Sequence, residues 1–494
     1  MKPRPPLPPG PYLVVGLARS GVAAARALRS RGEQVIGVDA GSPPGAAALA
    51  HAEVELHLDD PDGIALLDRV GAVVKSPGVP GQTPLIAAAR ARGMPLLGEL
   101  ELAWRLLPNE FIAVTGTNGK TTTVELIGHI HRQAGVAVAV AGNVGTALSS
   151  LVGALAAEAT VVCEASSFQL EDTLAFAPEA AVLLNLAADH LDRHRTFAAY
   201  AAAKLEAFAR QQPEDVAVYP ADLGERIGRA QPAPAAGPSH DGVDVNGVDV
   251  NVGGAEGDGD GTASSLVPGA AQRIEFGWDA EAAMFELDGE LWWQGRALAG
   301  LGEMQLRGRH NVENAMAAAA VCLARGIAPA SVRAGLASFP GVAHRMEELA
   351  ELDGVLYVND SKATNVASTL VALEAFGGHP LHLIVGGQGK GQDFTSLREP
   401  VARACAGVYL IGEHAATIAA ALANIDPPVL DCGDLERALA AAAEAAASDP
   451  DAVASIDGEG PVVLLSPACA SFDQFADFEA RGDRFRELVE NLQG

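Results

Sequence analysis

The chain has 494 residues, more than a single hydrophobic core usually supports, and we therefore expect several domains. Hydrophobic residues (49%) and charged residues (19%) have the balance of a globular protein, which argues against a disordered or fibrous chain. The formal net charge of −28 argues against a surface for nucleic acid or an anionic membrane. The five cysteines form no C-x-x-C pair, and no apolar run reaches membrane-spanning length, so the sequence predicts a cytoplasmic protein.

Three blocks of the sequence repeat one pattern, a short apolar run that ends in small and polar residues and is followed by a helical period. This pattern predicts an α/β fold with parallel sheets, in which ligands collect at the carboxyl ends of the strands. The predicted strands lie at 12–15, 34–39 and 72–78, at 111–116, 160–164 and 180–185, and at 355–360, 381–387, 408–412 and 462–467. We expect three domains, which cover residues 1–100, 101–340 and 341–494.

The first polar motif is G-L-A-R-S-G, from Gly16 to Gly21, with Asp39 at the end of the next predicted strand. A glycine-rich loop followed by an acidic residue is typical of a dinucleotide site, so a dehydrogenase is one candidate function. Ala18, however, replaces the middle glycine that lets the backbone approach a pyrophosphate. This replacement weakens the dehydrogenase interpretation.

The second motif is T-G-T-N-G-K-T-T, which lies between a predicted strand and a predicted helix. Loop amides and a helix N-terminus form a cradle for anions, Lys120 can reach the β- and γ-phosphates, and Thr121 can ligate Mg²⁺. An ordinary glycine turn before a helix is the alternative. We expect ATP, bound by Gly116, Thr117, Asn118, Gly119, Lys120, Thr121 and Thr122.

Acidic side chains follow at the ends of the next two predicted strands. Glu164 ends one strand, and Asp189, His190 and Asp192 follow the other. Phosphoryl transfer needs a metal, and Mg²⁺ prefers carboxylates and other hard oxygen ligands. The sequence therefore predicts a magnesium site, although Glu164 alone would also suit a helix cap.

Lys204 lies in the predicted helical segment T-F-A-A-Y-A-A-A-K-L-E-A-F, on an unusual side of the helix for a lysine. The spacing places it on the apolar stripe formed by Phe197, Tyr200 and Phe208, which predicts a buried ammonium group. Such a group is costly without a partner. A salt bridge to a carboxylate of the preceding A-D-H-L-D segment is the simplest explanation.

Residues 231–272 depart from the α/β pattern. They are rich in Pro, Ala, Gly and Asp, and they contain D-G-V-D-V-N followed by N-G-V-D-V-N. We interpret them as a flexible acidic insertion. The alternative is a calcium-binding repeat, for which the segment has too few turns to stack.

Seven segments together resemble the Mur ligases, the ATP-dependent amide-forming enzymes of peptidoglycan assembly. Four are typical of the whole family: T-G-T-N-G-K-T-T, E-A-S-S-F-Q-L, N-L-A-A-D-H-L-D-R and G-R-H-N-V-E-N. Three resemble the members that add D-glutamate: N-D-S-K-A-T-N, G-G-Q-G-K-G-Q-D-F and S-P-A-C-A-S-F-D-Q-F. The resemblance implies a Rossmann-like first domain that binds a UDP-sugar, a central P-loop ATPase domain with a mostly parallel sheet, and a Rossmann-like third domain.

The resemblance also implies the reaction and its participants. D-glutamate would be added to UDP-N-acetylmuramoyl-L-alanine by a monomeric enzyme with ATP and two Mg²⁺ ions, through an acyl phosphate and a tetrahedral intermediate. A folylpolyglutamate synthase would share the central domain, but it has no need for a UDP-binding first domain.

The site residues implied by the resemblance fall into four groups. Further nucleotide contacts are Asn311, Asn314, Arg345 and Asp360. Metal-site residues are Thr121, Glu164, His190 and Lys204, with Lys204 carbamylated by CO₂, and Lys120, His190 and Lys204 are catalytic. Acceptor contacts are Arg19, Ser20, Asp39, Ser76, Pro77, Gly78, Asn143 and His190. D-glutamate contacts are Lys362, Thr364, Lys390, Ser471 and Phe478. From the residues alone, either asparagine would suit a helix cap, and Lys362 would suit a surface lysine.

Overall fold

The structure is a computed structural model that describes residues 2–143, 145–187, 189–230, 266–306, 308–376, 378–389, 391–448 and 460–492. The chain divides into two compact units. The first unit comprises Met1–Gln305 and His310–Phe339, and the second comprises Leu306–Arg309 and Pro340–Gly494. Among the described helices, none combines the length and the apolar character needed to cross a membrane.

The described residues at the start of the first unit form a five-stranded parallel sheet. Its strands are β1 (Tyr12–Val15), β2 (Val35–Val38), β3 (Glu55–His57), β4 (Ala72–Lys75) and β5 (Leu96–Gly98), in the order β3-β2-β1-β4-β5. The helices α1 (Arg19–Ser30), α2 (Pro84–Ala91) and α3 (Glu99–Leu106) accompany them. Every residue of β1, β2 and β4 is buried, which explains why these strands are continuous apolar runs in the sequence.

A second sheet in the first unit has nine strands among the described residues. They are β6 (Phe111–Thr115), β7 (Val138–Gly142), β8 (Thr160–Glu164), β9 (Ala180–Leu183), β10 (Val216–Pro220), β11 (Gln272–Gly277), β12 (Met284–Leu287), β13 (Glu290–Trp293) and β14 (Arg296–Gly300). Their order is β14-β13-β12-β11-β10-β9-β6-β8-β7. All pairs are parallel except β12 with β13 and β13 with β14.

The helices beside this second sheet are α4 (Lys120–Gln133), α5 (Ser167–Leu170), α6 (Leu191–His194), α7 (Phe197–Leu205), α8 (Leu223–Ala230), α9 (Arg309–Ala324) and α10 (Pro329–Ser338). The strand β6 lies between β8 and β9. Because parallel neighbours end at one edge of the sheet, the segments after β6, β8 and β9 meet there. These segments contain the phosphate-loop motif, Glu164 and the A-D-H-L-D motif.

The described residues of the second unit form a six-stranded sheet. Its strands are β15 (Glu347–Leu352), β16 (Val355–Asn359), β17 (Leu381–Gly386), β18 (Cys405–Ile411), β19 (Val429–Gly433) and β20 (Val462–Leu465), in the order β15-β16-β20-β17-β18-β19. Only the edge strand β15 pairs in the antiparallel sense among these strands. The helices are α11 (Val366–Ala375), α12 (Arg398–Ala404), α13 (Ala415–Ala421), α14 (Leu435–Ala447) and α15 (Phe478–Asn491).

The α/β prediction with mostly parallel sheets is confirmed, and one predicted boundary is wrong. The acidic insertion was expected to end at residue 272, but Val267 is buried in the core and Gln272 begins β11. Residues 231–265, with the possible calcium repeat, lie outside the described residues. The three-domain division stays a prediction.

Candidate active site

The T-G-T-N-G-K-T-T segment connects β6 to α4, as the sequence predicts. Gly116 and Gly119 have φ values of +151° and +82°, in the left-handed region that favours glycine. A Cβ atom on Gly119 would lie 2.2 Å from Asn314 Oδ1. The helix begins directly at Lys120, so its first N–H groups belong to the same loop. This is the geometry of a phosphate-binding loop.

The loop is held by side chains on both of its sides. Lys120 Nζ donates to the carbonyl oxygens of Gly116 and Thr117 at 2.8 and 2.9 Å. Asn185 Oδ1 accepts from Asn118 N at 2.9 Å, and the Asn185 carbonyl oxygen accepts from Thr117 N at 3.1 Å. The loop therefore keeps its shape through Asn185, which lies in the N-L-A-A-D-H segment but was not predicted as a site residue.

Thr121 and Glu164 form a hydrogen-bonded pair beside the phosphate loop. Thr121 Oγ1 donates to Glu164 Oε2 at 2.9 Å, and Asn143 Nδ2 donates to Glu164 Oε1 at 3.1 Å. Glu164 is buried and does not cap a helix, because α5 has Ser166 as its N-cap. Asn143, which was predicted to contact the acceptor substrate, therefore forms a hydrogen bond to Glu164, a predicted metal ligand.

The chemistry of this pair fits a magnesium ion. A hydroxyl and a carboxylate supply the hard oxygen atoms that Mg²⁺ prefers. Among the described residues, no group of three or more His, Cys, Asp and Glu side chains is arranged to hold a metal. The pair therefore suits an ion whose other ligands come from nucleotide phosphates and water.

Lys204 is buried with 2% of its surface exposed, which confirms the phase predicted from the sequence. Its Nζ donates to the Gly116 carbonyl oxygen at 2.7 Å and lies 4.5 Å from the centre of the Tyr200 ring. Among the described side chains, no carboxylate forms an ion pair with it, and Asp189 instead lies 3.5 Å from His190 Nε2. The expected salt bridge to Asp189 is therefore wrong, and the Asp192 side chain lies outside the described part of the structure.

Burial, together with the nearby Lys120 ammonium, lowers the pKa of Lys204 to about 6. At neutral pH the Lys204 side chain is therefore largely an uncharged amine. An uncharged amine is a nucleophile, and its lone pair can attack an electrophilic carbon such as that of CO₂.

His190 follows β9 in a strained conformation, with φ of +50°. Its side chain is half exposed, and its ring centre lies 4.9 Å from that of Phe168. Asp189 Oδ1 accepts from His190 N at 2.9 Å, which stabilises the turn. The imidazole is thus supported on one side and accessible to a ligand.

Asn311 and Asn314 are buried within α9, at its third and sixth residues, so neither caps the helix. Asn314 Nδ2 donates to Asn311 Oδ1 at 3.2 Å, and Thr123 Oγ1 lies 3.3 Å from Asn314 Oδ1. Because Asn314 also limits the space at Gly119, the H-N-V-E-N segment shapes the phosphate loop.

The predicted acceptor loop lies at the carboxyl ends of β1, β2 and β4. Ser76 Oγ donates to the Gly16 carbonyl oxygen at 2.6 Å. The two oxygens of Asp39 accept from Leu17 N at 2.6 Å and Gly41 N at 2.8 Å, so this carboxylate stabilises backbone. A Cβ atom on Gly21 would lie 1.8 Å from the Gly16 carbonyl oxygen, which explains the glycine at that position.

A cavity of about 770 Å³ opens beside this loop. Apolar side chains of α1, of the loop after β2 and of residues 145–152 line it, together with Ser149, Arg26 and Arg19. Arg19 and Ser20 lie in the first turn of α1, and Arg19 Nη1 is 3.4 Å from the Gly145 carbonyl oxygen. An apolar space with arginines at its side can take a ring system that carries negative charge.

In the second unit, Asp360 follows β16 and is buried. Its oxygens accept from Ser466 Oγ at 2.8 Å and Met346 N at 3.2 Å. Burial raises the pKa of Asp360 to about 7, although the Ser466 hydrogen bond and the positive charge of Arg345 oppose this shift. Asp360 and Arg345, two predicted nucleotide contacts, are thus electrostatically coupled.

The three motifs typical of D-glutamate addition converge in the second unit. Gln388 and Ala470 exchange two backbone hydrogen bonds of 2.9 and 3.0 Å, which join G-G-Q-G-K-G-Q to S-P-A-C-A-S. Lys362 Nζ lies 5.9 Å from the Phe478 ring centre, and Ser361 Oγ donates to the Phe478 carbonyl oxygen at 2.8 Å.

The remaining predicted D-glutamate contacts are placed as follows. Ser471 is buried directly after Ala470, and Thr364 N donates to the Lys362 carbonyl oxygen at 2.8 Å. Lys390 lies outside the described residues, although Gly389 and Gly391 on either side of it are described.

Arg481 is a buried residue of α15 that sequence reasoning missed. Its Nε donates to Ser361 Oγ at 2.9 Å, and its Nη2 donates to the carbonyl oxygens of Ser361 and Cys469 at 2.9 and 3.1 Å. Burial lowers the pKa of Arg481 to about 10, so the guanidinium stays charged at neutral pH. Arg481 therefore joins N-D-S-K-A-T-N to S-P-A-C-A-S. The sequence could have indicated its burial, because Arg481 lies on the apolar stripe formed by Phe478, Phe485 and Val489.

Family models match three segments of the chain. The Mur ligase MurD-like N-terminal domain matches residues 11–98, the Mur ligase middle domain matches residues 114–236, and the glutamate ligase domain of Mur ligases matches residues 344–468. Among solved structures, the chain is similar to UDP-N-acetylmuramate-alanine ligase MurC from Thermotoga maritima, with a TM-score of 0.55, 18% identity and coverage of 98% and 99% of the two chains. It is also similar to the MurF ligase from Thermotoga maritima in complex with ADP, with a TM-score of 0.51, 17% identity and coverage of 93% and 96%. These structures support the fold.

Curated relatives are much closer in sequence. The chain is 40% identical to the UDP-N-acetylmuramoylalanine–D-glutamate ligase of Myxococcus xanthus, over 97% of this chain and 98% of that protein. It is 42% identical to the ligase of the same name from Anaeromyxobacter dehalogenans, over 96% of each chain. The chain therefore belongs to the Mur ligase family, on the branch whose curated members carry that name.

Proposed function

We propose that this protein joins D-glutamate to UDP-N-acetylmuramoyl-L-alanine with the conversion of ATP to ADP and phosphate, in the cytoplasm. The observation that carries the proposal is the cluster of Lys120, Thr121, Glu164 and Lys204 around Gly116. It combines a phosphate loop with a carboxylate and a reactive amine. The near full-length similarity to ligases named for this activity supports the choice of substrates.

In the first step, the alanine carboxylate of the acceptor attacks the γ-phosphorus of ATP and ADP leaves, which gives an acyl phosphate. Both reactants are anionic, so cations must neutralise their charges before they can approach. Lys120 supplies one such cation, and the loop amides around Gly116 and Gly119 hold the phosphate oxygens. Arg345 and Asp360 of the second unit would bind the nucleotide as well.

Magnesium supplies charge neutralisation at the transferring phosphate when it is bound. Thr121 and Glu164 would hold one ion, and His190 would take part in holding a second. Glu164 is kept in position by Asn143, which orients the carboxylate that the metal requires.

Lys204 would act as an anion after reaction with CO₂. Its neutral amine attacks the carbon of CO₂, an N–C bond forms as one C=O π bond breaks and leaves its electrons on oxygen, and one proton leaves the nitrogen to water, so that an anionic carbamate replaces the neutral amine. The lowered pKa makes the neutral amine available at pH 7. A carbamate beside the Gly116 carbonyl would be an anion able to orient a magnesium ligand, whereas the ammonium form would repel the metal ion and would be costly to bury.

In the second step, the amino group of D-glutamate attacks the acyl carbon, a tetrahedral intermediate forms, and phosphate leaves. Lys362, Thr364, Lys390, Ser471 and the backbone near Phe478 would hold the two carboxylates of D-glutamate.

The UDP part of the acceptor would lie at Arg19, Ser20, Asp39, Ser76, Pro77, Gly78 and Asn143, beside the cavity next to α1. His190 would contact the acceptor near the reacting carboxylate.

A coupled phosphate-release assay tests the proposal. We expect release only when ATP, the UDP-muramoyl-alanine acceptor and D-glutamate are all present, with L-glutamate and L-lysine as inactive controls. Lys120→Ala should abolish the signal, because it removes the cation at the phosphates. Binding of NADH without ATP-dependent ligation would favour a dehydrogenase and contradict the proposal.

A further inference from the structure

The turn at residues 76–79, called the acceptor turn below, follows β4 and contains the proposed acceptor contacts Ser76, Pro77 and Gly78. Val79 N donates to the Ser76 carbonyl oxygen at 3.0 Å, which closes the turn. The carbonyl oxygens of Pro77 and Val79 accept hydrogen bonds from cationic side chains outside the turn. Gly78 is exposed at the tip.

The first cation is Lys75, the last residue of β4, which is fully buried. Its Nζ donates to the Val79 carbonyl oxygen at 2.9 Å and pairs with Asp172 Oδ2 at 2.7 Å. Asp172 is equally inaccessible, and its second oxygen lies 3.2 Å from Arg90 Nη2. A buried ammonium requires a charged partner. The position of Asp172 therefore determines where the Lys75 ammonium lies, and so where it can donate to the Val79 carbonyl oxygen of the turn.

The second cation is Arg193, which follows His190 by one helical turn. Its Nη1 donates to the Pro77 carbonyl oxygen at 3.2 Å, and its Nη2 donates to Glu171 Oε1 at 2.7 Å. The guanidinium lies 3.8 Å from the centre of the Phe168 ring, on which His190 also packs. Planar stacking and two directed hydrogen bonds fix an arginine more closely than a charge alone would.

Both cations are paired with one short segment. Glu171 and Asp172, called the acidic pair below, are adjacent in sequence and follow α5 directly. We propose that the acidic pair, acting through Lys75 and Arg193, positions the acceptor turn for binding of the UDP-sugar. The proposal rests on the function proposed above, because that function assigns the acceptor to this turn.

In this arrangement the acidic pair would contribute to the placement of the acceptor substrate as well as to stability. The acceptor must place its alanine carboxylate beside the γ-phosphate while its UDP part is held at the acceptor turn. Arg193 connects this turn to the segment of His190, so the two ends of the acceptor site share one hydrogen-bonded network. An error of about 1 Å in such placement can cost about 100-fold in rate. Lys75, Glu171, Asp172 and Arg193 are positioning residues in this sense.

The first test replaces the buried ion pair without leaving a lone charge. The double variant Lys75→Met with Asp172→Val should keep its melting temperature near that of the wild type, since apolar side chains of similar volume can replace a buried pair. The Val79 carbonyl oxygen loses its donor, however. We expect the Kd for the acceptor, measured by calorimetry without ATP or D-glutamate, to rise about tenfold or more.

A matched control for this variant exists at Lys2 and Asp215. Lys2 Nζ pairs with Asp215 Oδ2 at 2.5 Å and donates to the Ala177 carbonyl oxygen at 3.1 Å, far from the acceptor turn in the sequence. The double variant Lys2→Met with Asp215→Val should leave the acceptor Kd unchanged. An equal rise in both double variants would overturn the proposal.

The second test uses Arg193→Lys, which keeps the charge but loses the planar fork. We expect the KM for the acceptor to rise about tenfold, while the KM values for ATP and D-glutamate stay within about twofold of the wild type. The matched control is Arg4→Lys. Arg4 pairs with Glu179 at 3.0 Å, donates to the Asn109 carbonyl oxygen at 2.7 Å and lies 4.5 Å from the Trp104 ring centre.

The outcomes separate the two proposals. An unchanged acceptor Kd in the Lys75/Asp172 double variant, together with an unchanged acceptor KM in the Arg193 variant, would overturn the role of the acidic pair. A parallel rise in all three KM values would indicate a merely structural role and would also overturn it. A wild-type protein that binds the acceptor but does not ligate D-glutamate would contradict the proposed function, and the Kd comparison would still test the acidic pair.

Discussion

Lys204 and Arg481 illustrate how much a single residue reveals. Each is a basic side chain on the apolar stripe of a helix, and each is buried in the structure. The phase of Lys204 was therefore sufficient to predict burial, and the same reasoning applies to Arg481. The sequence could not show what each basic group contacts, because their partners Gly116 and Cys469 come from other elements. Pairing across the chain depends on the fold.

Replacement of Lys204 tests its proposed chemistry. Lys204→Ala should lower kcat by about 100-fold or more, because the site loses a charged group that acts during phosphoryl transfer. Added formate or acetate should restore part of the activity by occupying the space of the lost carbamate. The measurement is steady-state phosphate release with and without added carboxylate. A carboxylate concentration on the order of 0.1 M is needed, because a small anion binds weakly. Normal activity of the variant would return Lys204 to a structural role.

Asp360 leads to a pH-dependent prediction. The pKa of Asp360 is raised to about 7 in the folded protein, whereas the pKa of an aspartate in the unfolded chain is about 4. Between these two pH values the folded state binds a proton that the unfolded state has already released. Stability contributed by the neutral carboxyl is therefore lost as the pH rises through about 7. Asp360→Asn should melt at a higher temperature than the wild type at pH 8, with a smaller difference at pH 5. A difference that is constant with pH would contradict the raised pKa.

At the level of elements, burial made some strands predictable from the sequence but not all of them. The strands β1, β6 and β20 are buried over their whole length and appear as continuous apolar runs. The strands β12 to β14, which are only partly buried, were missed, and so was β10, although it is buried over its whole length. The polar segments after β6, β8 and β9 were predicted to meet because parallel strands end at one edge, whereas the contact of Asn143 with Glu164 was not predicted.

The start of α1 provides a prediction on one glycine. Gly21→Ala should destabilise the protein by about 1–3 kcal/mol, because the added Cβ would lie 1.8 Å from the Gly16 carbonyl oxygen and 2.8 Å from Ser76 Oγ. Thermal denaturation measures the effect. Gly302→Ala is the matched control, since its Cβ would meet no atom within 4 Å. Equal melting temperatures of the two variants would show that the helix start tolerates a side chain.

At the level of the whole molecule, the proposed site residues are divided between the two compact units. The first unit carries the phosphate loop, the metal-site residues and the acceptor turn, and the second carries Arg345, Asp360 and the D-glutamate contacts. The family resemblance assigned residues to both units from the sequence.

This division predicts a pattern of hydrogen exchange. A non-hydrolysable ATP analogue should protect amides in peptides that cover residues 115–123 and residues 344–361, because nucleotide contacts are proposed in both units. The acceptor alone should protect peptides that cover residues 16–21 and 76–79. Mass spectrometry of the exchanged peptides gives the result. Protection by the analogue in the first unit alone would contradict the roles of Arg345 and Asp360.

The carbamate proposed at Lys204 would have a physiological consequence. It would form from dissolved CO₂ and revert when CO₂ is removed, so the fraction of active enzyme would depend on the supply of inorganic carbon. Degassed protein should lose activity slowly and regain it when bicarbonate is added, while Lys204→Ala should not respond. Peptidoglycan precursor synthesis would then be sensitive, at this step, to the gas composition in which the cell grows.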